Sequence, residues 1–180
     1  MLDPVFGYLI TTAIALLFAS AAAHKLRSPA HFTEVFAAYR LLPDGTARHL
    51  ARLIPCLELG VAATLLWEPS RRVAVVSAVA LLVAYAAGVG LNLLRGRRDL
   101  DCGCGAARVR RGISAWMVWR NLLLAAALGI AALPWSARRF NWTDFLTVAG
   151  GLIAGVTLYT LVDALLGDVA PKAGLLRRTT

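Results

Sequence analysis

Two cysteines separated by one glycine are the side chains of this sequence best suited to chemistry. Cys102 and Cys104 lie in the run Asp101-Cys102-Gly103-Cys104-Gly105. Thiols at this spacing can close a small disulfide ring or bind one soft metal ion. The ring would be strained, and strain raises the reduction potential, so we predict a pair that exchanges between dithiol and disulfide.

Charged side chains near the pair bear on its reactivity. Positive charge favours the thiolate, which is the reactive form, whereas the carboxylate of Asp101 beside Cys102 opposes it. The excess of positive charge therefore favours reactive thiols. Five arginines flank the motif: Arg97, Arg98, Arg108, Arg110 and Arg111.

The third cysteine is Cys56. Besides the first hypothesis, thiol-disulfide exchange, two further hypotheses remain open for the cysteines. Three cysteines are too few for the disulfide framework of a small secreted domain. We interpret Cys56 as a packing residue of a membrane helix, with a third thiol of a relay as the alternative. The second hypothesis is Cu(I)-type binding by Cys102, Cys104 and Cys56, although no Met-rich or His-rich tract accompanies them. The third is a structural membrane subunit with inert cysteines.

Several polar side chains fall inside apolar segments, where they are costly and therefore informative. Glu58 and Arg120 are expected to pair with each other, which fixes helix register or handles protons. Together with Asp101, Arg120 is expected to tune the thiols, while Asn121, Asn92 and Glu58 keep the site polar. His24 and Lys25 are expected to anchor the first helix at the lipid headgroups.

The composition indicates a membrane protein. The chain of 180 residues is 59% apolar and 16% charged with a mean hydropathy of +0.67, whereas soluble domains are about half apolar and a quarter charged. The net charge of +9 comes from Lys and Arg that lie almost entirely between apolar runs. Such charge flanks membrane helices, so we expect a lipid bilayer and no nucleic acid as partner.

The apolar runs predict an all-α bundle of about five membrane helices in one domain, 1–167, followed by a loose tail, 168–180. Apolar residues at i, i+3, i+4 and i+7, namely Phe32, Val35, Phe36 and Tyr39, predict a short helix in the membrane interface over 29–42. The membrane helices are predicted over 5–23, 53–67, 73–94, 113–133 and 145–162.

Five crossings bring Cys56 and the loop with Cys102 and Cys104 to one membrane face. They place four Lys and Arg on one side and fourteen on the other, with Arg120 in the membrane. The positive-inside rule then predicts an outer N-terminus and a cytoplasmic cysteine loop in the plasma membrane.

Several runs of sequence resemble the methylamine utilisation protein MauE family, whose members are DoxX-like. Glu58 within the second helix fits the same pattern. The resemblance extends to about residue 133. The runs that carry it are HKLR (24–27), YRLLP (39–43), NLLRGR (92–97), DCGCG (101–105), IS (113–114) and RNLL (120–123).

The resemblance implies a bundle with a four-helix core that helps a periplasmic dehydrogenase subunit of methylamine metabolism acquire its disulfides. It implies a thioredoxin-like protein and a client protein as partners, without independent turnover. Ala106 stands where family members commonly carry an aromatic residue. Disulfide formation takes place outside the cytoplasm, whereas the charge count puts Cys102 and Cys104 inside, so a quinone or a partner protein is expected to complete the electron path.

Overall fold

The structure is a computed structural model that describes residues 3–67, 71–101, 112–134, 138 and 140–176, with side chains as far as 165 except that of residue 44. Cys102 and Cys104 lie outside the described residues. Six helices occupy the described ranges, so the predicted all-α class is confirmed. Their bounds are α1 Pro4–Arg27, α2 Pro29–Ala38, α3 Asp44–Leu65, α4 Arg71–Leu94, α5 Ala115–Ala131 and α6 Trp142–Leu176.

The helices confirm a membrane helix bundle. Pro4–Arg27, Arg71–Leu94 and Trp142–Leu165 are each long and apolar enough to cross a bilayer, and Ala115–Ala131 is a shorter apolar helix. The outward face of α6 carries large apolar side chains that contact lipid, since apolar surface of this extent is costly in water. They are Leu146, Ile153, Leu158, Leu161 and Leu165.

Local sequence determines where the first two helices begin. Asp3 caps α1, because its carboxylate accepts a hydrogen bond from the Val5 amide at 2.9 Å. Pro4 and Pro29 occupy the first turns of α1 and α2, where the missing amide hydrogen costs nothing. Ser28 separates the two helices, so α2 follows α1 almost directly.

Two helices extend far beyond the predicted membrane spans. α3 begins at Asp44, nine residues before the predicted span at 53, with Pro55 inside it. α6 continues to Leu176 through part of the segment expected to be a loose tail. Asp163 therefore lies within a helix and does not end one.

The apolar core lies between α1, α3, α4 and α5. Small side chains allow the helices to approach closely, as is usual in lipid. A second cluster lies under the loop end of the bundle, where α2 contacts α4 and the start of α5 through Val35, Tyr39, Val89, Ile113 and Met117. The main core includes Ile14, Ala15, Phe18, Val61, Leu65, Ala74, Ala78, Leu82 and Leu128.

The order of packing decides which polar side chains meet. α1 packs against α3, α5, α6 and α2, and α4 packs against α5 and α3. α3 therefore presents its inner face to α1 and α4. Polar residues on α3 meet partners on those two helices.

Candidate functional site

The base of the cysteine loop is a short antiparallel bridge. Asp101 pairs with Gly112, and the Ile113 amide donates to the Leu100 carbonyl at 3.0 Å. The two ends of the segment that contains the cysteines therefore lie side by side. The bridge connects the end of α4 to the start of α5 at one end of the bundle.

Gly112 is required at this bridge by a close backbone contact. A Cβ atom at Gly112 would lie 2.6 Å from the carbonyl oxygen of Arg98. Neither atom is the far end of a flexible side chain, so the backbone would have to move. Only glycine allows the two arms of the loop base to approach this closely.

Arg97 ties the first arm of the loop base to α2. Its guanidinium donates to the carbonyl oxygens of Ala38 at 2.8 Å and Tyr39 at 3.4 Å, groups that the end of a helix leaves without partners. It also donates to Asn92 Oδ1 at 3.1 Å. Asn92 is fully buried and donates to the Gly88 carbonyl at 3.1 Å, so it holds Arg97 from the interior.

A charged cluster lies inside the bundle near the same end. Glu58 is fully buried, and its Oε1 accepts from Lys25 Nζ and, at 2.7 Å, from the Tyr85 hydroxyl. The Lys25 ammonium also lies 5.2 Å from the ring centres of Phe32 and Tyr85, where the ring faces attract it. Within the described chain, Glu58 Oε2 has no hydrogen-bond partner.

The predicted pairing of Glu58 with Arg120 is wrong. Arg120 Nη1 donates to Asp163 Oδ1 of α6 at 2.7 Å, and the Trp116 indole contacts the same oxygen at 3.4 Å. Glu58 bonds Lys25 because α3 packs against α1. The expectation that Lys25 anchors α1 at the headgroups is also wrong, since this side chain is buried.

Cys56 lies on α3, which is not part of the loop base. It is an exposed, free thiol, about 18 Å along the axis from the start of α3 at a rise of about 1.5 Å per residue. The thiol therefore does not pack among the helices of this chain, and its role as a packing residue of a membrane helix stays a prediction. No group of three His, Cys, Asp or Glu suited to a metal occurs among the described residues.

Two further polar residues lie on α5 and α2. Asn121 is buried in α5 and donates to the Met117 carbonyl at 2.9 Å. His31 on α2 lies with Nε2 3.7 Å from Asp101 Oδ2. Sequence reasoning missed His31, Tyr85 and Asp163, and the need of Arg120 for an acidic partner was the one signal pointing to Asp163.

A second polar cluster lies at the opposite end of the bundle. Arg138 donates hydrogen bonds to the carboxylate of Asp3 and to the carboxylate of Asp144, at 2.8 to 3.0 Å. Its guanidinium and the Val5 amide hold the pKa of Asp3 below its usual range. This cluster joins the N-terminal ends of α1 and α6.

Comparison with known proteins identifies the family. The family model described as "Methylamine utilisation protein MauE" matches residues 3–136. The chain is 38% identical over 173 residues to "Methylamine utilization protein MauE" of Paracoccus denitrificans, covering 94% of this chain and 91% of the relative. It is 39% identical to the Paracoccus versutus protein of that name, covering 88% and 84%.

A third relative matches the chain over a similar length, whereas the comparison with solved structures gives no match. The protein of the same name from Methylophilus methylotrophus is 35% identical over 176 residues, covering 94% of this chain and 90% of the relative. No solved structure matches the chain significantly. The resemblance seen in the sequence is confirmed over most of the chain, which belongs to the methylamine utilisation protein MauE family.

Proposed function

We propose that the protein is a membrane factor of methylamine utilisation that serves thiol-disulfide exchange on a partner protein through Cys102 and Cys104. The bridge between Asp101 and Gly112 carries the proposal, because it anchors both ends of the segment with the two thiols. A reactive pair on a fixed base meets a partner in one orientation. Membership of the family supports the pathway.

The surroundings of the loop base support a site held in place. Arg97 connects one arm to the C-terminal carbonyls of α2, and buried Asn92 orients Arg97. The other arm continues into α5 through Ile113, which is buried. The guanidinium of Arg97 and the side-chain amide of Asn92 both donate hydrogen bonds to backbone carbonyl groups here. Such charge-assisted and buried hydrogen bonds favour a defined position of the loop base.

The proposed exchange is balanced in atoms and electrons. A thiolate of the client attacks the Cys102–Cys104 disulfide, forming a mixed disulfide and releasing one loop thiolate. The second client thiolate displaces the other loop sulfur, so the client gains a disulfide and the loop becomes a dithiol. A thioredoxin-like partner or a membrane quinone takes the two electrons and two protons that restore the loop disulfide.

The electron path depends on the side of the membrane that the loop faces. The proposed topology in the plasma membrane has an outer N-terminus and a cytoplasmic loop, on the strength of fourteen basic residues against four. A lipid-soluble quinone is then the co-substrate that carries reducing equivalents away within the bilayer. A soluble client on the outer side would be oxidised by a second thiol pair, which a partner protein would carry.

Trapping the thiols tests the proposed exchange. The full chain is equilibrated in buffers of graded redox potential, alkylated and weighed by mass spectrometry. We expect two fewer alkyl groups under oxidising conditions and a single sharp transition between the two states. Cys102→Ser and Cys104→Ser are each expected to abolish the transition.

Cys56→Ser is the matched control, because Cys56 is an exposed thiol on α3 and is not part of the Cys-Gly-Cys motif. This variant is expected to keep the transition at the same potential. A wild-type protein that shows no change of mass in any redox buffer would remove the proposal. Stoichiometric copper that is lost in the Cys102→Ser/Cys104→Ser variant would favour metal binding instead.

A further inference from the structure

We infer that the groove between α1 and α6 binds one phospholipid with a primary ammonium headgroup, a phosphatidylethanolamine. One acyl chain of the lipid lies along the groove, and its ammonium meets the carboxylates of Asp3 and Asp144. The site takes no part in the proposed thiol exchange. It lies at the end of the bundle opposite the loop base.

The groove is a cavity of about 510 Å³ at the surface of the bundle. Ligand sites commonly measure about 300–1,000 Å³ and are mostly apolar, with a few polar groups that orient the ligand. The groove therefore has the size and the character of a site for an amphipathic molecule. The described residues that line it include Tyr8, Thr12, Phe140, Phe145, Ala149 and Leu152.

The length of the groove matches one leaflet of a bilayer. Thr12 lies eight residues after the start of α1 and Leu152 ten residues after the start of α6, which corresponds to roughly 12–15 Å along the helix axes. The hydrocarbon layer is about 30 Å thick. The groove thus extends from the membrane surface to about the middle of the layer, the depth that an acyl chain of one leaflet occupies.

Aromatic rings form the end of the groove at the membrane surface, where α1 and α6 begin. The Phe140 ring lies edge-on to that of Tyr8 with the ring centres 4.9 Å apart, and its centre is 5.5 Å from that of Phe145. Contacting rings hold each other in place. A ring face that an ammonium approaches within about 6 Å also attracts it.

The groove is open to lipid along α6. Phe145 is 65% exposed, and no residue in the most apolar stretch of Trp142–Leu165 is buried in the bundle. A lipid can therefore enter the groove sideways from the bilayer. Once there, its chain contacts both helices and adds to the few protein contacts that hold α6 against α1.

The charge at the surface end of the groove favours a cationic headgroup. Asp144 directly precedes Phe145 in the chain, and Asp3 caps α1. The two carboxylates share the single guanidinium of Arg138, so these three groups together carry one negative charge in excess. The side chain of Asp3 is 40% exposed, which leaves its oxygens accessible from the membrane surface.

Asp3 is ionised at neutral pH. Hydrogen bonds from the Arg138 guanidinium and the Val5 amide hold the pKa of its carboxyl below the usual range. An ammonium group donates three hydrogen bonds, and bonds between an ammonium and a carboxylate are among the stronger ones in proteins. A headgroup with a net negative charge, such as phosphatidylglycerol, would instead meet like charge.

Retention of lipids, measured by native mass spectrometry, tests the inference. The full chain in detergent is incubated with equal amounts of dioleoyl phosphatidylethanolamine and dioleoyl phosphatidylglycerol. We expect one retained lipid per chain and about a two- to fivefold preference for phosphatidylethanolamine, the range that an exposed ion pair produces. Equal retention of the two lipids, or a preference for phosphatidylglycerol, overturns the inference.

Asp3→Asn tests the headgroup contact. Asparagine still caps a helix, but the variant removes the excess negative charge and is expected to abolish the preference between the two lipids. Asp99→Asn is the control, because Asp99 is an exposed carboxylate at the other end of the bundle. A preference that persists in Asp3→Asn contradicts the assigned role of the carboxylates.

Ala149→Trp tests the groove. The added ring fills the space beside Phe145 and is expected to reduce retention of both lipids. Ala154→Trp, at an exposed position of α6 outside the described lining of the groove, should retain lipid as the parent does. Unchanged retention in Ala149→Trp overturns the inference. Should this variant fail to fold, the comparison of the two lipids on the parent protein still decides, because it needs no variant.

Discussion

Glu58 illustrates what a charged residue inside a membrane bundle requires. Its carboxylate is fully buried and bonded by Lys25 and Tyr85. An ion taken out of water loses several kcal/mol of hydration, and the pair compensates for that loss only when both partners are present. Removing one partner therefore costs more than the pair contributes.

Glu58→Gln is expected to destabilise the protein by about 3–5 kcal/mol, because the Lys25 ammonium stays buried without its counter-charge. The measurement is the unfolding midpoint of the full chain in detergent. Glu34→Gln, which changes an exposed carboxylate on α2, is the control and should leave the midpoint in place. Lys25→Met combined with Glu58→Gln should recover most of the loss, and a double variant as unstable as Glu58→Gln contradicts this explanation.

Gly112→Ala is expected to open the base of the cysteine loop, because the added Cβ would lie 2.6 Å from the Arg98 carbonyl oxygen. Opening exposes the arms of the loop to solvent. Hydrogen exchange of the Ile113 amide, which bonds the Leu100 carbonyl, should rise at least about tenfold. Gly45→Ala on α3, where a Cβ meets nothing within 4 Å, is the matched control and should leave this amide protected.

Asp3 supplies a prediction about pH. Its pKa is lowered in the folded protein by the Arg138 guanidinium, so its stabilising effect is present above the unfolded value, roughly 3.9, and is lost as the pH falls through the folded value. The unfolding midpoint of Asp3→Asn should lie below that of the parent at pH 7, and the gap should shrink as the pH falls below the unfolded value of roughly 3.9. A gap that stays constant down to the lowest pH at which the protein remains folded would contradict the assignment.

At the residue scale, the sequence predicted which side chains are important. It predicted less well which side chains contact each other. Glu58 and Arg120 stood out because charge in an apolar run is costly. Their partners depend on which helices are neighbours, and no local pattern states that α3 packs against α1 and α4. Lys25 looked like a headgroup anchor because it stands two residues from the end of α1.

Among the elements, α6 depends most on a few polar contacts. Most of its outward side chains face lipid, and Arg120 joins it to α5 through Asp163. Lipid offers little hydrophobic drive for one helix to stay beside another. The position of α6 therefore relies on the ion pair and on close contacts such as that of Leu9 with Gly151.

Arg120→Gln is expected to lower stability by about 1.5–3 kcal/mol, the range for a hydrogen bond to a charged group. The unfolding midpoint in detergent measures it. Arg72→Gln, an exposed arginine on α4, should have no such effect. The exchange Arg120→Asp/Asp163→Arg should restore the midpoint in part, whereas a further loss would show that the pair does not join the helices.

The helices themselves were predictable because an uncharged apolar run of about twenty residues has few stable forms in lipid other than a helix. The first and last residues of the helices were less predictable. α3 extends well before its apolar part, since its first turns carry polar residues that hydropathy does not recognise as helix. α6 passes Asp163, because Arg120 satisfies the carboxylate that hydropathy treats as an end.

At the scale of the whole molecule, the two ends of the bundle differ in charge and in content. One end carries the loop base, α2 and most of the arginines that the structure describes, and the other carries the cluster of Asp3, Arg138 and Asp144. The positive-inside rule is the ground on which we propose that the basic end lies in the cytoplasm. The side of the thiols decides which partners they reach.

Labelling with a membrane-impermeant maleimide tests the proposed orientation. In the Cys56→Ser protein, Cys102 and Cys104 should be labelled in inverted membrane vesicles and remain unlabelled in intact spheroplasts. A cysteine introduced at Asn141, between Arg138 and α6, reports the opposite side and should show the reverse pattern. Labelling of the loop thiols in spheroplasts would place them outside and remove the need for a quinone path.

The two polar contacts of α6 lie near opposite ends of its membrane span. Asp144 bonds Arg138 and Asp163 bonds Arg120, and the helical rise from Asp144 to Asp163, nineteen steps of about 1.5 Å, is about 28 Å. The hydrocarbon layer is about 30 Å thick. Because both contacts resist entering lipid, their separation fits the bundle to a bilayer of ordinary thickness, and thicker membranes must thin around it.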